Sequence, residues 1–225
     1  MIELSLAEAI ERATALPSLG RALLGVTGCP GAGKSTLSAA ITAAVPSSVV
    51  VPMDGFHLLN EELVKLGRRN RKGAPDTFDV DGFVALLDRV RHQLPGEVIR
   101  APRYDRASSA PVPNAVAIGS DIALVIIEGN YLLLDSSPWQ AVRPLLDEVW
   151  FVDIDDDVRL SRLIARHVEF GKSPEEARAW VIRSDEANAS MVAAGRGRAD
   201  AVVCLPVSAP APGLGPSGQP AERRS

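Results

Sequence analysis

The sequence is poor in flat rings, thiols and lysine. Its 225 residues hold only 5 Phe, 3 Trp and 2 Tyr, which leaves few surfaces on which a nucleobase could stack. Two cysteines, Cys29 and Cys204, are too few for a disulfide framework or a four-thiolate zinc site, so a reducing compartment is expected. No apolar run reaches the roughly 18 residues that a membrane span needs. Glu3, Glu8 and Glu11 fall where a secretion signal would carry its apolar core. A cytoplasmic protein with no membrane partner is predicted. Excess positive charge is also missing: 24 Lys and Arg stand against 28 Asp and Glu, a net charge of −4, which argues against a nucleic-acid partner. Among the cations only Lys34, Lys65, Lys72 and Lys172 are lysines; the rest are arginine.

What is present is an alternation of elements. Hydrophobic residues make up 46% and charged residues 23%, the balance of a globular domain. Ser5 and Glu8 have capping-box spacing, and Leu6, Ile10 and Ala13 recur at helical spacing, so residues 1–19 read as an N-terminal helix. Apolar runs at 22–28, 49–54, 121–129, 148–155 and 199–205 read as strands, the third apolar throughout as a central parallel strand would be. Between them, helices are predicted at 34–44, at 79–94 entered through an Asp cap, at 156–170 and at 174–193. The class is α/β with a mainly parallel sheet, and the main domain spans 20–205. Residues 206–225 hold 5 of the 17 prolines and few large apolar side chains, the composition of a disordered tail.

Residues Gly28-Cys29-Pro30-Gly31-Ala32-Gly33-Lys34-Ser35 match GxxxxGK[ST] in full, after an apolar run and before a helix-forming one. Glycines let successive backbone N–H groups point at phosphate oxygens, and the helix start adds its positive dipole end. Lys34 would reach the β- and γ-phosphates of ATP, and Ser35 would bind Mg²⁺. Gly28, Pro30, Gly31, Ala32, Gly33, Lys34, Ser35 and Thr36 are the candidate nucleotide-binding residues.

Three further segments bear on the reaction. Asp54, in Met53-Asp54-Gly55-Phe56-His57, stands at the carboxyl end of a strand beside the cradle. It could accept a proton from a hydroxyl attacking the γ-phosphoryl group, or cap a helix over 56–65. Glu128 follows an apolar run and suits an acidic group on Mg²⁺ or its waters, with a strand-ending turn as the plainer account. The stretch 67–79 carries Asp76, Phe78 and Asp79, able to grip a polyhydroxylated substrate or simply to form a solvated loop.

Together GCPGAGKS, MDGFH, RKGAPDTFD, PRYDR at 102–106 and IIEGNYLLL at 126–134 resemble the P-loop small-molecule kinases that include uridine kinase, type I pantothenate kinase and phosphoribulokinase. The resemblance covers roughly residues 20–205. It implies the P-loop NTPase three-layer α/β/α sandwich with a helical lid, and ATP-dependent phosphorylation of a hydroxyl on a small-molecule acceptor. By the same resemblance Asp54 aligns with the general base, Asp79 falls in the segment that holds ribose hydroxyls in uridine kinases, and Tyr104 begins the YD motif bordering the substrate. His57 and Tyr131 join the candidate substrate-binding residues. Arg159, Arg162 and Arg166 share one helix face. As lid residues they would stabilise the transferring phosphoryl group, Arg162 and Arg166 above all; otherwise they form a solvated basic face. The uridine-kinase His after the YD motif and the Tyr- and His-bearing segment of pantothenate kinases are both missing. Neither acceptor therefore carries over, and a sugar hydroxyl or an acceptor-free P-loop ATPase stays open. A guanine motif of the NKxD type is missing too, which sets a regulatory GTPase aside. No feature decides for or against a homo-oligomer.

Overall fold

A parallel sheet of six strands is the frame on which the functional loops hang. The computed structural model describes residues 1–206, so the tail predicted over 206–225 lies outside the described residues save its first. The strands are β1 (Ile2–Ser5), β2 (Ala22–Thr27), β3 (Ser48–Pro52), β6 (Leu124–Glu128), β7 (Glu148–Asp153) and β8 (Ala201–Cys204), in spatial order β1-β8-β7-β2-β6-β3. Every pairing among them is parallel, as their near-continuous apolar sequences require. β2 is central and buried along its whole length.

Side chains alternate between two cores, one on each face of the sheet. Leu23, Val125, Ile127, Val149 and Phe151 face one, completed by Phe83 and Leu87 of helix α4 (Val80–Arg91) and by Trp139. Leu24, Val26, Ile126, Trp150 and Val152 face the other, against Ala9 and Ala13 of α1 (Leu6–Ala15) and Leu37 and Ile41 of α2 (Lys34–Ala44). The predicted capping box starts α1: Ser5 Oγ accepts from the Glu8 amide at 3.3 Å while the Glu8 carboxylate accepts from the Ser5 amide at 2.8 Å.

Two elements lie outside the sequence reading. Residues Ile2–Ser5 form β1, an edge strand paired with β8, too short to show a period of its own. β4 (Val98–Asp105) and β5 (Ala110–Gly119) form an antiparallel hairpin beside the main sheet. Three prolines and three charged residues within these strands hide their alternation. The C-terminal helical region begins as predicted, with α5 (Asp156–Glu169) and α6 (Pro174–Trp180). A π turn, Val181–Asp185, then separates α6 from α7 (Glu186–Ala193) where one continuous helix was expected. Such turns re-aim side chains within a helix, and here Trp180 and Asp185 both reach the cleft described next.

Candidate active site

The carboxyl ends of β2, β3 and β6 open on one cleft of about 790 Å³, the place where open α/β sheets hold ligands. One wall is the loop between β2 and α2. Gly28 has φ +149°, and a Cβ there would stand 2.6 Å from the Val152 carbonyl oxygen, so neither conformation nor space admits a side chain. Gly33, at φ +97°, precedes the first turn of α2 and accepts the amides of Thr36 and Leu37. The Lys34 ammonium rests on the loop itself, donating to the carbonyls of Gly28 at 2.8 Å and Cys29 at 3.1 Å. Burial pushes its pKa down to about 8, while the Glu128 and Asp54 carboxylates oppose the shift. Pro30, Gly31, Gly33, Lys34, Ser35 and Thr36 line the cleft. Gly28 and Ala32 shape the loop from behind, with Ala32 packed in the core.

Ser35 Oγ donates to Glu128 Oε1 at 2.6 Å. Among the described residues no three His, Cys, Asp or Glu side chains gather as a metal cage. A hydroxyl beside one carboxylate nevertheless fits Mg²⁺, which keeps most of its ligands as water and phosphate oxygen.

Asp54 stands opposite, in the single helical turn Met53–Phe56 that follows β3. A Cβ at Gly55 would collide with the Pro102 carbonyl of β4, so the glycine lets this turn press against the hairpin. The Asp54 carboxylate caps no helix: α3 (Asn60–Lys65) starts after Leu59, and the turn holding Asp54 has no side-chain cap. The helix-cap alternative is thereby removed, and the carboxylate is left facing the cleft with Arg106 Nη2 at 3.8 Å.

Beyond Asp54 the wall is aromatic and cationic. The His57 ring packs against Phe78 (4.1 Å between centroids) and Tyr104 (4.7 Å), and its Nδ1 lies 2.7 Å from the Asp54 carbonyl oxygen. Burial holds the His57 pKa below its usual value, against the opposing pull of Asp54. Lys72 sits 5.2 Å from the centre of the Tyr104 ring and donates to Asn60 Oδ1 and to the Ser109 carbonyl, each at 2.7 Å.

α5 and the turn after it close the third side. Arg162 and Arg166 line the cleft. Arg159, on the same face, does not: it is buried between Asp156 at 2.8 Å and Glu186 of α7 at 2.7 Å, and so ties α5 to α7.

Three predicted substrate residues are placed elsewhere. Asp76 pairs with Arg68 at 3.2 Å and with Arg71. Asp79 caps α4, accepting the Gly82 amide at 2.9 Å, the cap that the sequence also suggests. Tyr131 is buried beside Phe78, its hydroxyl donating to the Gly73 carbonyl at 2.5 Å. Each braces the wall from outside the cleft. Conversely, Arg69, Lys72 and Arg106 line the cleft without having been singled out. The only signal was the density of cations in RRNRK and PRYDR. The pair His167 Nε2–Asp185 Oδ2, 2.8 Å apart at the lid, joins residues 18 positions apart and had no signal.

The model of the Phosphoribulokinase / Uridine kinase family matches residues 23–207. The chain belongs to that family. It is 36% identical over 169 residues to an ATP-dependent kinase-like protein of Aspergillus versicolor, covering 72% of this chain and 94% of that protein. A solved structure from Silicibacter sp. TM1040, provisionally described as a fructose transport system kinase, is 36% identical. It superposes with a TM-score of 0.78 over 88% of this chain and 96% of that one. Phosphoribulokinase from Rhodobacter spheroides, at 18% identity and TM-score 0.55, covers 84% of this chain and 72% of its own, and shares the fold. The family places the chain among P-loop kinases, with the α/β P-loop fold that the alternation and the GxxxxGKS loop imply.

Proposed function

We propose that this chain transfers the γ-phosphoryl group of ATP to a hydroxyl of a small metabolite, with Asp54 as general base. The juxtaposition of the Lys34 cradle and an uncapped Asp54 across one cleft carries the reading. The acceptor hydroxyl would lie between Asp54 and the γ-phosphorus. Its oxygen forms the new P–O bond, its proton passes to the Asp54 carboxylate, and the bond from the γ-phosphorus to the bridging oxygen breaks to release ADP. Lys34 and the loop amides bind the β- and γ-phosphates, and Arg162 and Arg166 approach the transferring group from the lid. Ser35 and Glu128 would hold Mg²⁺, which supplies neutralisation of the phosphate charge. Arg106 Nη2 lies 3.8 Å from the Asp54 carboxylate, on the side where the acceptor hydroxyl would enter.

Tyr104, Phe78 and His57 bound the acceptor end, which suits the apolar edge of a nucleoside, a pantothenate-like molecule or a sugar. The test of phosphoryl transfer itself is Asp54→Asn. Acceptor phosphorylation should fall by about 10²–10⁴-fold, with ATP binding unchanged by equilibrium titration. An acceptor-free ATPase would lose nothing in ADP release, and that result would refute the general-base assignment.

A further inference from the structure

The charge on the acceptor wall is unbalanced in a way that phosphoryl transfer does not use. Seven cationic side chains face the cleft against the three carboxylates of Asp54, Glu128 and Asp185. Lys34 and Arg162 stand at the phosphate loop, where the Cβ position of Gly33 is 3.5 Å from Arg162 Nη1, and Arg166 lies on the same helix as Arg162. Arg69 and Lys72 instead belong to the Tyr104 side of the cleft: the Lys72 ammonium lies 5.2 Å from the Tyr104 ring centre, and the Arg69 charge is felt by both. Their segment has a carboxylate, but Asp76 is already shared between Arg68 and Arg71. Arg69 has no ion-pair partner among the described residues. Lys72 spends two of its three protons on neutral oxygens. Burial and the nearby Arg69 charge both hold the Lys72 pKa below its usual value, as expected of two cations brought together without an anion between them.

We propose that the acceptor is a hydroxylated metabolite bearing an oxyanion, carboxylate or phosphate, bound by Arg69 and Lys72 while its hydroxyl meets Asp54. The proposal rests on the kinase reading and narrows it. The aromatic trio of His57, Phe78 and Tyr104 then packs the carbon skeleton between the two polar ends. A neutral nucleoside or free sugar would leave the cationic pair desolvated and unmatched, a penalty that selects against it.

The experiment uses the full chain with ATP and Mg²⁺, and reads ADP release and equilibrium binding for matched acceptors. Pantothenate and panthenol, and D-glycerate and glycerol, test the carboxylate arm. Ribulose 5-phosphate with ribulose, and fructose 6-phosphate with fructose, test the phosphate arm, and uridine serves as a further neutral probe. The anionic member of at least one pair should bind and turn over at least about tenfold better than its neutral partner. Arg69→Gln, at an exposed position, should raise the KM of that anionic acceptor about tenfold, and Lys72→Gln should act in the same direction. Neither should change ATP affinity. Preference for a neutral member, failure of every anionic member to bind, or an anionic KM indifferent to Arg69→Gln would overturn the proposal. Loss of ATP binding by the unmodified chain would instead strike the kinase reading, so the two failures are distinguishable.

Discussion

The phosphate wall and the acceptor wall of the cleft are built in opposite ways. The phosphate wall is one unbroken segment: β2 delivers Gly28, the loop turns on its glycines, and α2 starts at Lys34, all within eight residues. The acceptor wall is gathered from four places: the turn at 53–57, the loop at 69–78, the tip of the β4–β5 hairpin, and the lid. A backbone cradle depends on local φ/ψ and is recorded in a short motif, whereas a wall of converging side chains depends on packing between distant segments. The cradle fits any triphosphate; the gathered wall sets which hydroxyl is presented to it. Damage to the first should therefore depress turnover with every acceptor, and damage to the second should discriminate among them.

The largest break is expected at Lys34. Lys34→Ala removes the ammonium from the β- and γ-phosphates, and kcat/KM should fall about 10²–10³-fold for whichever acceptor is used. An acceptor-dependent loss, measured with two acceptors side by side, would dissolve the division between the walls. Glu128→Gln, at the end of β6 beside that wall, should act less severely. It leaves a hydrogen-bond partner for Ser35 but weakens the seat for Mg²⁺, so the Mg²⁺ concentration giving half-maximal rate should rise about tenfold. An unchanged Mg²⁺ requirement would free Glu128 from that role.

Acidity sharpens the comparison further. With its pKa held near 8, Lys34 is charged below pH 8 and neutral above it in the free protein. A bound triphosphate favours the charged form and raises that pKa, so binding takes up a proton above pH 8. ATP affinity should then be flat up to pH 8 and about tenfold weaker at pH 9 than at pH 7. Titration of ATP across that range reads the effect directly, and Lys34→Arg should abolish it, because a guanidinium stays charged throughout. Stability runs the other way. A lysine whose folded pKa is depressed is penalised while charged, so its contribution improves between pH 8 and the unfolded value near 10.5.

The sequence was most legible where one element decides the outcome. The apolar runs of β2, β6 and β7 require a parallel sheet covered on both faces, and GCPGAGKS requires its strand, loop and helix. Legibility fell where two readings of a residue were locally equivalent. Asp54 and Asp79 each precede a helical segment, and either could have capped one; only the tertiary position of the β4 backbone against Gly55 turns the first into the cleft. Arg159, Arg162 and Arg166 share one helix face, yet Glu186, 27 positions after Arg159, draws that arginine alone out of the cleft. Arg69 and Lys72 belong to a run of cations whose members differ only in whether Asp76 neutralises them.

Asp79 supplies the smallest and most discriminating test, because the carboxylate motif of the resemblance and the cap observed at α4 make opposite demands on one side chain. As a cap it needs an oxygen for the Gly82 amide, and asparagine provides one as well as aspartate does. As a hydroxyl-binding residue it needs the negative charge, which asparagine lacks. Asp79→Ala should cost about 1 kcal/mol, seen as a fall in Tm of about 2–4 °C for a chain of this size, with the acceptor KM little changed. Asp79→Asn should restore the Tm and leave KM at the wild-type value. If Asp79→Asn keeps its Tm but its acceptor KM rises tenfold, the carboxylate reaches the substrate in the working enzyme. The acceptor wall would then extend past Phe78 to the start of α4, a boundary set by ligand-induced closure and not by the packing described above.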